Sequence, residues 1–184
     1  MFTWNDGSFI ALDIEATGFG SASRIVEFAA VYSEAGRIIE GFDTLVNPGI
    51  PIPESASLVH GIYDEHVAGA PLWSDVKPEI ERFLSRDVPW VAHNATYDVA
   101  RLVDHGVTRS PWVFCSLRYA QREHPVLRHR RRGHKLSDLA EYFNIEFSSD
   151  RAHTARGDAE VLQHIVCKML QGVTIASCVP GYML

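Results

Sequence analysis

Apolar residues follow a strand pattern over the first fifty positions of the chain. The segments Ser8 to Ile14, Arg24 to Val31 and Ile38 to Val46 are apolar and suited to buried strands, and a turn at Glu34 to Gly36 separates the last two. The connections are too short for the crossover that parallel pairing requires. We therefore predict a three-stranded antiparallel meander.

The rest of the chain alternates short apolar runs with amphipathic segments. Strands are predicted at Pro89 to Ala92 and at Trp112 to Cys115. Apolar spacing predicts helices at Leu72 to Leu84, after Asn94 to about His105, at Leu117 to Gln121, at Leu136 to Phe143 and at Gly157 to Leu170. This order indicates an α/β fold, a mixed sheet of three antiparallel strands and then parallel strands, flanked by helices.

The composition is that of one folded unit. The chain has 184 residues, of which 46% are apolar and 22% charged. We assign residues 1–171 to a single domain and 172–184 to a C-terminal tail of unknown role. No apolar run has the length of a membrane span and no basic region precedes an apolar stretch, so we expect a cytoplasmic protein. The three cysteines form no C-x-x-C pair, which argues against a disulfide framework.

The net charge of −6 and the pI of about 5.8 argue against a partner held by overall positive charge. One segment departs from this balance, because Arg128 to Lys135 carries five of the seventeen lysines and arginines and no acid. We predict that Arg130, Arg131 and Arg132 contact the phosphates of a nucleic acid. The alternative is a solvated basic loop.

Four acidic residues stand at the ends of predicted elements. Asp13 and Glu15 close the first strand and, being two apart, point to the same face. Asp98 and Asp158 lie in the first turns of two helices. Ligands bind beyond the carboxyl ends of parallel strands, so we expect the four carboxylates to converge. Oxygen ligands without thiolates favour two Mg²⁺ or Mn²⁺ ions, which support in-line cleavage of phosphodiesters.

His153 precedes Asp158 by five residues and is the candidate general base, since its ordinary pKa near 6.5 suits proton transfer from an attacking water. Each of these residues also has a simpler interpretation. A histidine near a helix start is often structural, and the helix dipole alone favours acids in a first turn.

Three short motifs occur in order along the chain. Asp13 to Gly18 reads D-x-E-x-T-G, His93 to Asp98 reads H-N-A-x-x-D, and His153 to Asp158 reads H-x-A-x-x-D. In order and spacing this set resembles the DEDDh, or DnaQ-like, 3′ to 5′ exonucleases, which have a ribonuclease H-like fold. The resemblance covers about residues 8 to 170, and Arg24 to Glu27 also matches the family pattern.

The resemblance implies a role for each matching residue. Asp13, Glu15, Asp98 and Asp158 would hold the two ions, and His153 would deprotonate the attacking water. The substrate-binding residues would be Ala16, Thr17, Gly18, Phe19, His60 and Asn94. Phe19 and His60 would contact the terminal base and Asn94 would shape the pocket near the scissile phosphate. Core packing is an equally good interpretation of Phe19 and His60.

The resemblance implies a metal-dependent 3′ to 5′ exonuclease that releases nucleoside 5′-monophosphates. Single-stranded DNA is the favoured substrate, because a pocket for one terminal base needs that base unstacked. RNA trimming by the same chemistry is the first alternative. The second is a non-hydrolytic subunit that binds nucleic-acid ends or a polymerase, with Gly172 to Leu184 as the docking element. The motifs do not separate a proofreading subunit, with a polymerase or replisome partner, from a stand-alone repair nuclease.

Overall fold

A computed structural model of the protein describes residues 7–125, 127, 133–146 and 154–170. Its strands are β1 (Phe9–Ala16), β2 (Ile25–Glu34), β3 (Arg37–Leu45), β4 (Trp90–Ala92) and β5 (Val113–Cys115). They form one sheet in the order β3-β2-β1-β4-β5. The first three strands pair antiparallel, whereas β4 and β5 run parallel to β1. The predicted mixed sheet is confirmed.

The described ranges contain seven helices. These are α1 (Glu54–His60), α2 (Asp64–Val67), α3 (Trp73–Leu84), α4 (Ala95–Asp104), α5 (Ser116–Glu123), α6 (Leu136–Tyr142) and α7 (Ala155–Met169). The last five were predicted to within two residues at each end. The sequence pattern missed α1, which exposes its apolar Leu58 and Val59, and α2, which has only four residues.

The hairpin between β2 and β3 turns where the sequence predicted. Ala35 and Gly36 both have positive φ, at 49° and 79°, which is the backbone of the two-residue turns that suit the twist of antiparallel strands. This turn sets the pairing of β2 with β3, and β2 in turn pairs with β1 along almost its whole length.

Helices cover both faces of the sheet. Ile10, Leu12 and Ile14 of β1 pack on one face with residues of α3 and α4. Phe9 and Ala11 pack on the other face with residues of α5, α6 and α7. Because side chains alternate along a strand, Asp13 and Glu15 lie on the face that α7 covers. The apolar Val103 of α4 is nevertheless 45% exposed, because the buried stripe of this helix includes Val99 and Leu102.

Among the residues that the structure describes, no helix combines the length and the apolar character needed to cross a bilayer. The predicted C-terminal tail, residues 172–184, lies outside the described ranges, as do residues 128–132 of the basic segment.

Candidate active site

Three carboxylates meet where β1 ends and α7 begins. Asp13, Glu15 and Asp158 each place one carboxylate oxygen within 4.8 Å of the others, and all three residues are half-buried. Asp13 and Glu15 project from the same face of β1, and Asp158 lies in the first turn of α7. The structure therefore brings together residues that are almost 150 positions apart in the chain.

Asp98 joins this group from the opposite side of β1. It lies in the first turn of α4 and is 3% exposed. Its carboxyl lies against the backbone N–H of Ile14, the residue between Asp13 and Glu15. The charge of Asp98 raises the pKa of both of these neighbours, although Asp98 stands outside the closest group of three.

Small residues let the start of α7 approach the sheet. Ala155 and Ala159 of the helix and Ala29 of β2 are fully buried against one another. The helix begins at an N-cap, Thr154, whose hydroxyl accepts a 3.1 Å hydrogen bond from the N–H of Gly157. Close approach at the alanines and this cap together place Asp158 beside β1.

A second contact holds α7 on β3. The Arg156 guanidinium donates to Asp43 at 2.9 Å and to Glu160 at 2.5 Å. It lies over Gly41, where a Cβ would come within 2.3 Å of the guanidinium. Glycine at this strand position thus leaves room for the side chain that anchors the helix.

Glu27 is a fifth acidic residue at the site, and the sequence analysis gave it no role. It pairs with Glu15 across β1 and β2 and accepts a 2.9 Å hydrogen bond from the backbone N–H of Ala155. Burial raises the pKa of Glu27, while the hydrogen bond from Ala155 lowers it. Its place at the site follows from its pairing with Glu15, and this pairing is known only once the register of β1 and β2 is known.

The carboxyl groups resist ionisation in the absence of a cation. Burial, followed by the charges of Asp98 and Glu15, raises the pKa of Asp13 well above its ordinary value. Burial and the charge of Asp158 raise the pKa of Glu15 to about 8, and burial raises that of Asp98 to about 8. A divalent cation would reverse these shifts, because it favours the ionised form of every carboxyl around it.

The donor set fits a divalent ion that prefers oxygen. Asp13, Glu15 and Asp158 offer three carboxylate oxygens at a spacing that one ion can bridge, with no sulfur or imidazole among them. These three residues could hold a metal ion directly, and Asp98 is placed to act next to them. The arrangement suits Mg²⁺ and Mn²⁺ chemically.

The predicted substrate residues around β1 fall into two groups. Ala16 and Thr17 are 4% and 8% exposed, and the Thr17 hydroxyl accepts a 2.9 Å hydrogen bond from the Arg24 N–H. Gly18 is half-buried, whereas Phe19 is 86% exposed. The structure thus places Phe19 outside the core, beside the acidic site, where a large apolar ring is available to a ligand.

His60 and Asn94 occupy places with clear structural roles. His60 is 6% exposed, and its Nδ1 accepts a 3.0 Å hydrogen bond from the Ile62 N–H. Burial lowers the pKa of His60, so the ring is neutral near pH 7. Asn94 is exposed at the N-cap of α4 with φ 64° and ψ 45°, a left-handed conformation that asparagine adopts more readily than most residues. Its side chain lies at the same end of the sheet as the acids.

Four of the predicted functional residues lie outside the described ranges. They are His153 and the arginines Arg130, Arg131 and Arg132. Thr154, which follows His153 directly, is the N-cap of α7. The roles of these four residues therefore remain predictions from the sequence.

His93 directly follows β4 and is half-buried. Its Nδ1 lies 2.9 Å from the Ser116 hydroxyl at the start of α5. Burial lowers the pKa of His93 to about 4, so the ring is uncharged near pH 7. It ties β4 to α5 at the edge of the sheet where the acids gather.

The fold and the acidic cluster define a class of protein, the metal-dependent nucleases that cleave phosphodiesters. The family model for exonucleases, RNase_T, matches residues 10–166. The chain therefore belongs to this exonuclease family, and its motif set makes it a 3′ to 5′ exonuclease domain of the DEDDh, or DnaQ-like, type. The resemblance seen in the sequence and the ribonuclease H-like α/β fold are confirmed.

Two curated relatives differ in how much of their length the chain covers. It is 32% identical over 173 residues to the DNA polymerase III subunit epsilon of Aquifex aeolicus, covering 90% of this chain and 82% of that protein. It is 32% identical over 171 residues to a PolC-type DNA polymerase III of Caldanaerobacter subterraneus, covering 90% of this chain but only 12% of that protein.

Solved structures share the fold. Exonuclease X in complex with 5′ overhanging duplex DNA superposes with a TM-score of 0.72 at 24% identity, covering 89% of this chain and 92% of that one. Exonuclease I superposes with a TM-score of 0.74 at 16% identity, covering 92% of this chain and 42% of that one.

Proposed function

We propose that the chain removes nucleotides one at a time from the 3′ end of single-stranded DNA and releases nucleoside 5′-monophosphates. The observation that carries this proposal is the convergence of Asp13, Glu15 and Asp158 within 4.8 Å, with Asp98 buried beside them. The membership of the exonuclease family supplies the reaction class.

Two divalent ions, Mg²⁺ or Mn²⁺, are proposed as cofactors. Asp13 would be the ligand shared by the two ions, Glu15 and Asp158 would hold the first ion with it, and Asp98 would act directly or through water. When bound, the ions supply positive charge to the scissile phosphodiester and make water a stronger nucleophile. Glu27 and the alanines around Ala155 keep Asp158 in place, so that the ligands are oriented before substrate arrives.

His153 is the proposed general base. It precedes the N-cap Thr154, so it belongs to the segment that enters α7 five residues before Asp158. A neutral imidazole there accepts the proton of the attacking water, and the oxygen that leaves is the 3′ oxygen of the shortened strand. Loss of a general base typically costs a factor of about 10² to 10⁴ in rate while metal binding survives.

Residues around the β1 end are proposed to seat the terminal nucleotide. Phe19 stacks against the base, and Ala16, Thr17, Gly18 and His60 form the backing of its pocket. Asn94 lies next to the scissile phosphate. Since one base enters at a time, an end that is already single-stranded is cut with the least unstacking cost. Little sequence preference follows, because every base offers a stacking face.

DNA is favoured over RNA because two relatives that are 32% identical to this chain over the aligned residues are DNA polymerase III proteins. The fold alone does not discriminate, since structural neighbours include a 3′-exonuclease bound to histone mRNA stem-loop. The same relatives suggest a polymerase or replisome partner, for which residues 172–184 are the candidate docking segment. Truncation of these residues, followed by a pull-down with a polymerase, tests that point.

The decisive experiment compares matched DNA and RNA oligonucleotides labelled at the 5′ end. With Mg²⁺ or Mn²⁺ we expect a ladder that shortens by single nucleotides from the 3′ end, faster on DNA, and no cleavage in EDTA. Faster trimming of RNA would show that the chain is an exoribonuclease that recognises the 2′-hydroxyl, which only RNA offers. Binding without cleavage under all conditions would favour a non-hydrolytic end-binding subunit.

A further inference from the structure

The loop of residues 17–24, which joins β1 to β2, is fastened to α4 by two side chains. The Tyr97 hydroxyl donates a 3.0 Å hydrogen bond to the Gly18 carbonyl. The Arg101 guanidinium donates to the Gly20 carbonyl and, at 2.6 Å, to the Ser23 hydroxyl. Both side chains come from the same face of α4, one turn apart.

Arg101 is an unusual residue to find in this position, because it is only 5% exposed. Among the described residues, its carboxylate partner is Asp104, at 2.7 Å. A buried guanidinium needs acceptors for its donors, and the loop supplies two of them. If the loop moved away, Arg101 would lose these acceptors in a poorly solvated place, so the guanidinium favours the observed loop position.

The base of the same loop is closed by backbone pairing. The Thr17 N–H donates to the Arg24 carbonyl at 2.8 Å, and the Ser23 N–H donates to the Gly20 carbonyl at 2.9 Å. With both ends and the turn held, Phe19 is the large apolar side chain of the loop, and it is 86% exposed. An apolar ring fixed in this way has no role in the core.

Among the described residues, the aromatic neighbour of the Phe19 ring is Tyr97. The two ring centroids lie 5.7 Å apart and the angle between the ring planes is 59°. The Arg101 guanidinium lies 5.8 Å from the centroid of the Tyr97 ring, which is within the range of a cation–π contact. Arg101, Tyr97 and Phe19 therefore form a chain of contacts. It leads from inside α4 to an exposed ring beside the acidic site.

We propose that Tyr97 and Arg101 are positioning residues that hold the 17–24 loop so that Phe19 stays set against the terminal base of a bound strand. This inference rests on the exonuclease function proposed above and adds two residues to it. Tyr97 and Arg101 share α4 with Asp98, so the same helix fixes both the base contact and one of the site carboxylates. They act through Phe19 and touch no reacting atom.

The test uses the full chain with two variants of different severity. Tyr97→Phe keeps the ring that contacts Phe19 and removes only the hydrogen bond to Gly18. Arg101→Met removes the guanidinium and keeps much of the side-chain volume. Arg82→Met, at an exposed arginine of α3, is the matched control. Thermal melting and circular dichroism confirm that each variant is folded; if Arg101→Met does not fold, Tyr97→Phe carries the test alone.

The readout is the split between KM and kcat on a single-stranded DNA oligonucleotide. We expect Tyr97→Phe to raise KM by about 3- to 10-fold, as the loss of one hydrogen bond does, with kcat within about twofold. Arg101→Met should raise KM further.

A double-mutant cycle shows whether these residues act through Phe19. In a Phe19→Ala background, and on an oligonucleotide with an abasic 3′-terminal residue, both KM effects should disappear. If the wild type cleaves DNA but both variants keep the wild-type KM, this inference is wrong and the proposed function stands. The same holds if the KM effects persist without Phe19 or without the base. Absence of cleavage by the wild type on every substrate would overturn the proposed function and this inference with it.

Discussion

The Glu27 carboxylate accepts a 2.9 Å hydrogen bond from the backbone N–H of Ala155, across 128 positions of sequence. Glu27 stands opposite Glu15 in the β1–β2 register, and Ala155 opens the helix that carries Asp158. This single contact therefore links two of the three clustered carboxylates through the backbone that holds them. Together with the buried alanines and the Thr154 cap, it holds the start of α7 at the end of β1.

Replacing Glu27 should weaken the site without touching a proposed ligand. We expect Glu27→Ala to lower activity and Mn²⁺ affinity by about 10- to 100-fold, the usual effect of losing a residue that orients metal ligands. Glu27→Gln keeps an oxygen that can accept the hydrogen bond from the Ala155 N–H, so this variant should retain most of the activity and most of the Mn²⁺ affinity. Calorimetric Mn²⁺ titration and an exonuclease assay measure the two effects. Wild-type values in the alanine variant would show that α7 is held by other contacts.

The acidic site should make the metal-free protein less stable as pH rises. The pKa of Glu15 and that of Asp98 are raised to about 8 in the folded chain, so the folded state keeps protons that the unfolded chain releases near pH 4 to 4.5. This stability is complete below about pH 4 and is lost by about pH 8. Thermal melting in EDTA should show Tm falling across this window, and Mg²⁺ should restore it.

Asp98→Asn gives this pH prediction a matched control. The amide cannot ionise, so the variant in EDTA should be more stable than the wild type at pH 8 by at least about 1 kcal/mol, roughly the value of one pKa unit. The advantage should vanish at pH 4, where the wild-type carboxyl is protonated. A stability difference independent of pH would mean that Asp98 is already ionised in the folded metal-free chain.

The basic segment is expected to act through nucleic-acid phosphates. Neutralising Arg130, Arg131 and Arg132 together should weaken DNA binding and reduce the slope of log K against log salt by up to about 2, at about 0.7 per phosphate contact for a single strand. Fluorescence anisotropy at several salt concentrations measures this. Neutralising Arg37 and Arg82, which lie elsewhere on the chain, is the control. An unchanged slope would leave the segment as solvated surface.

Asn94 allows its backbone and side-chain roles to be separated. Its φ of 64° is left-handed, so Asn94→Ala should destabilise the protein by about 1 kcal/mol, whereas Asn94→Gly should not. If the side chain also shapes the substrate pocket, Asn94→Gly will be stable but slower on DNA. Denaturant unfolding and steady-state rates are compared. Full activity of the glycine variant would reduce Asn94 to a backbone role.

The sequence predicted the sheet well because the strands of its core carry strong apolar runs and the turns carry clear signals. Ala35 and Gly36 turn where expected, and β1 ends at Ala16, immediately before the Thr17-Gly18 step. Helix α1 was missed because it exposes Leu58 and Val59 at 72% and 63%, which leaves no apolar stripe to detect. The local sequence pattern was therefore enough to predict an element where its apolar residues are the buried ones.

The positions of the acids could be predicted, but their supports could not. Asp13 and Glu15 share a face by strand period alone. The contacts from Glu27 to Ala155 and from Arg101 to Gly20 depend on register and on packing between distant segments, which no local period encodes. Nor could composition decide whether Phe19 or His60 is buried; the structure places Phe19 in solvent and His60 in the interior.

A crystal of the protein soaked with Mn²⁺ and a nucleoside 5′-monophosphate tests the central claim most directly. Anomalous scattering would locate each ion without assumptions about mechanism. We expect Mn²⁺ between the carboxylates of Asp13, Glu15 and Asp158, with the phosphate beside it, and loss of that density in Asp13→Asn. Anomalous peaks elsewhere, with the three carboxylates bare in a crystal that still degrades DNA, would contradict the account.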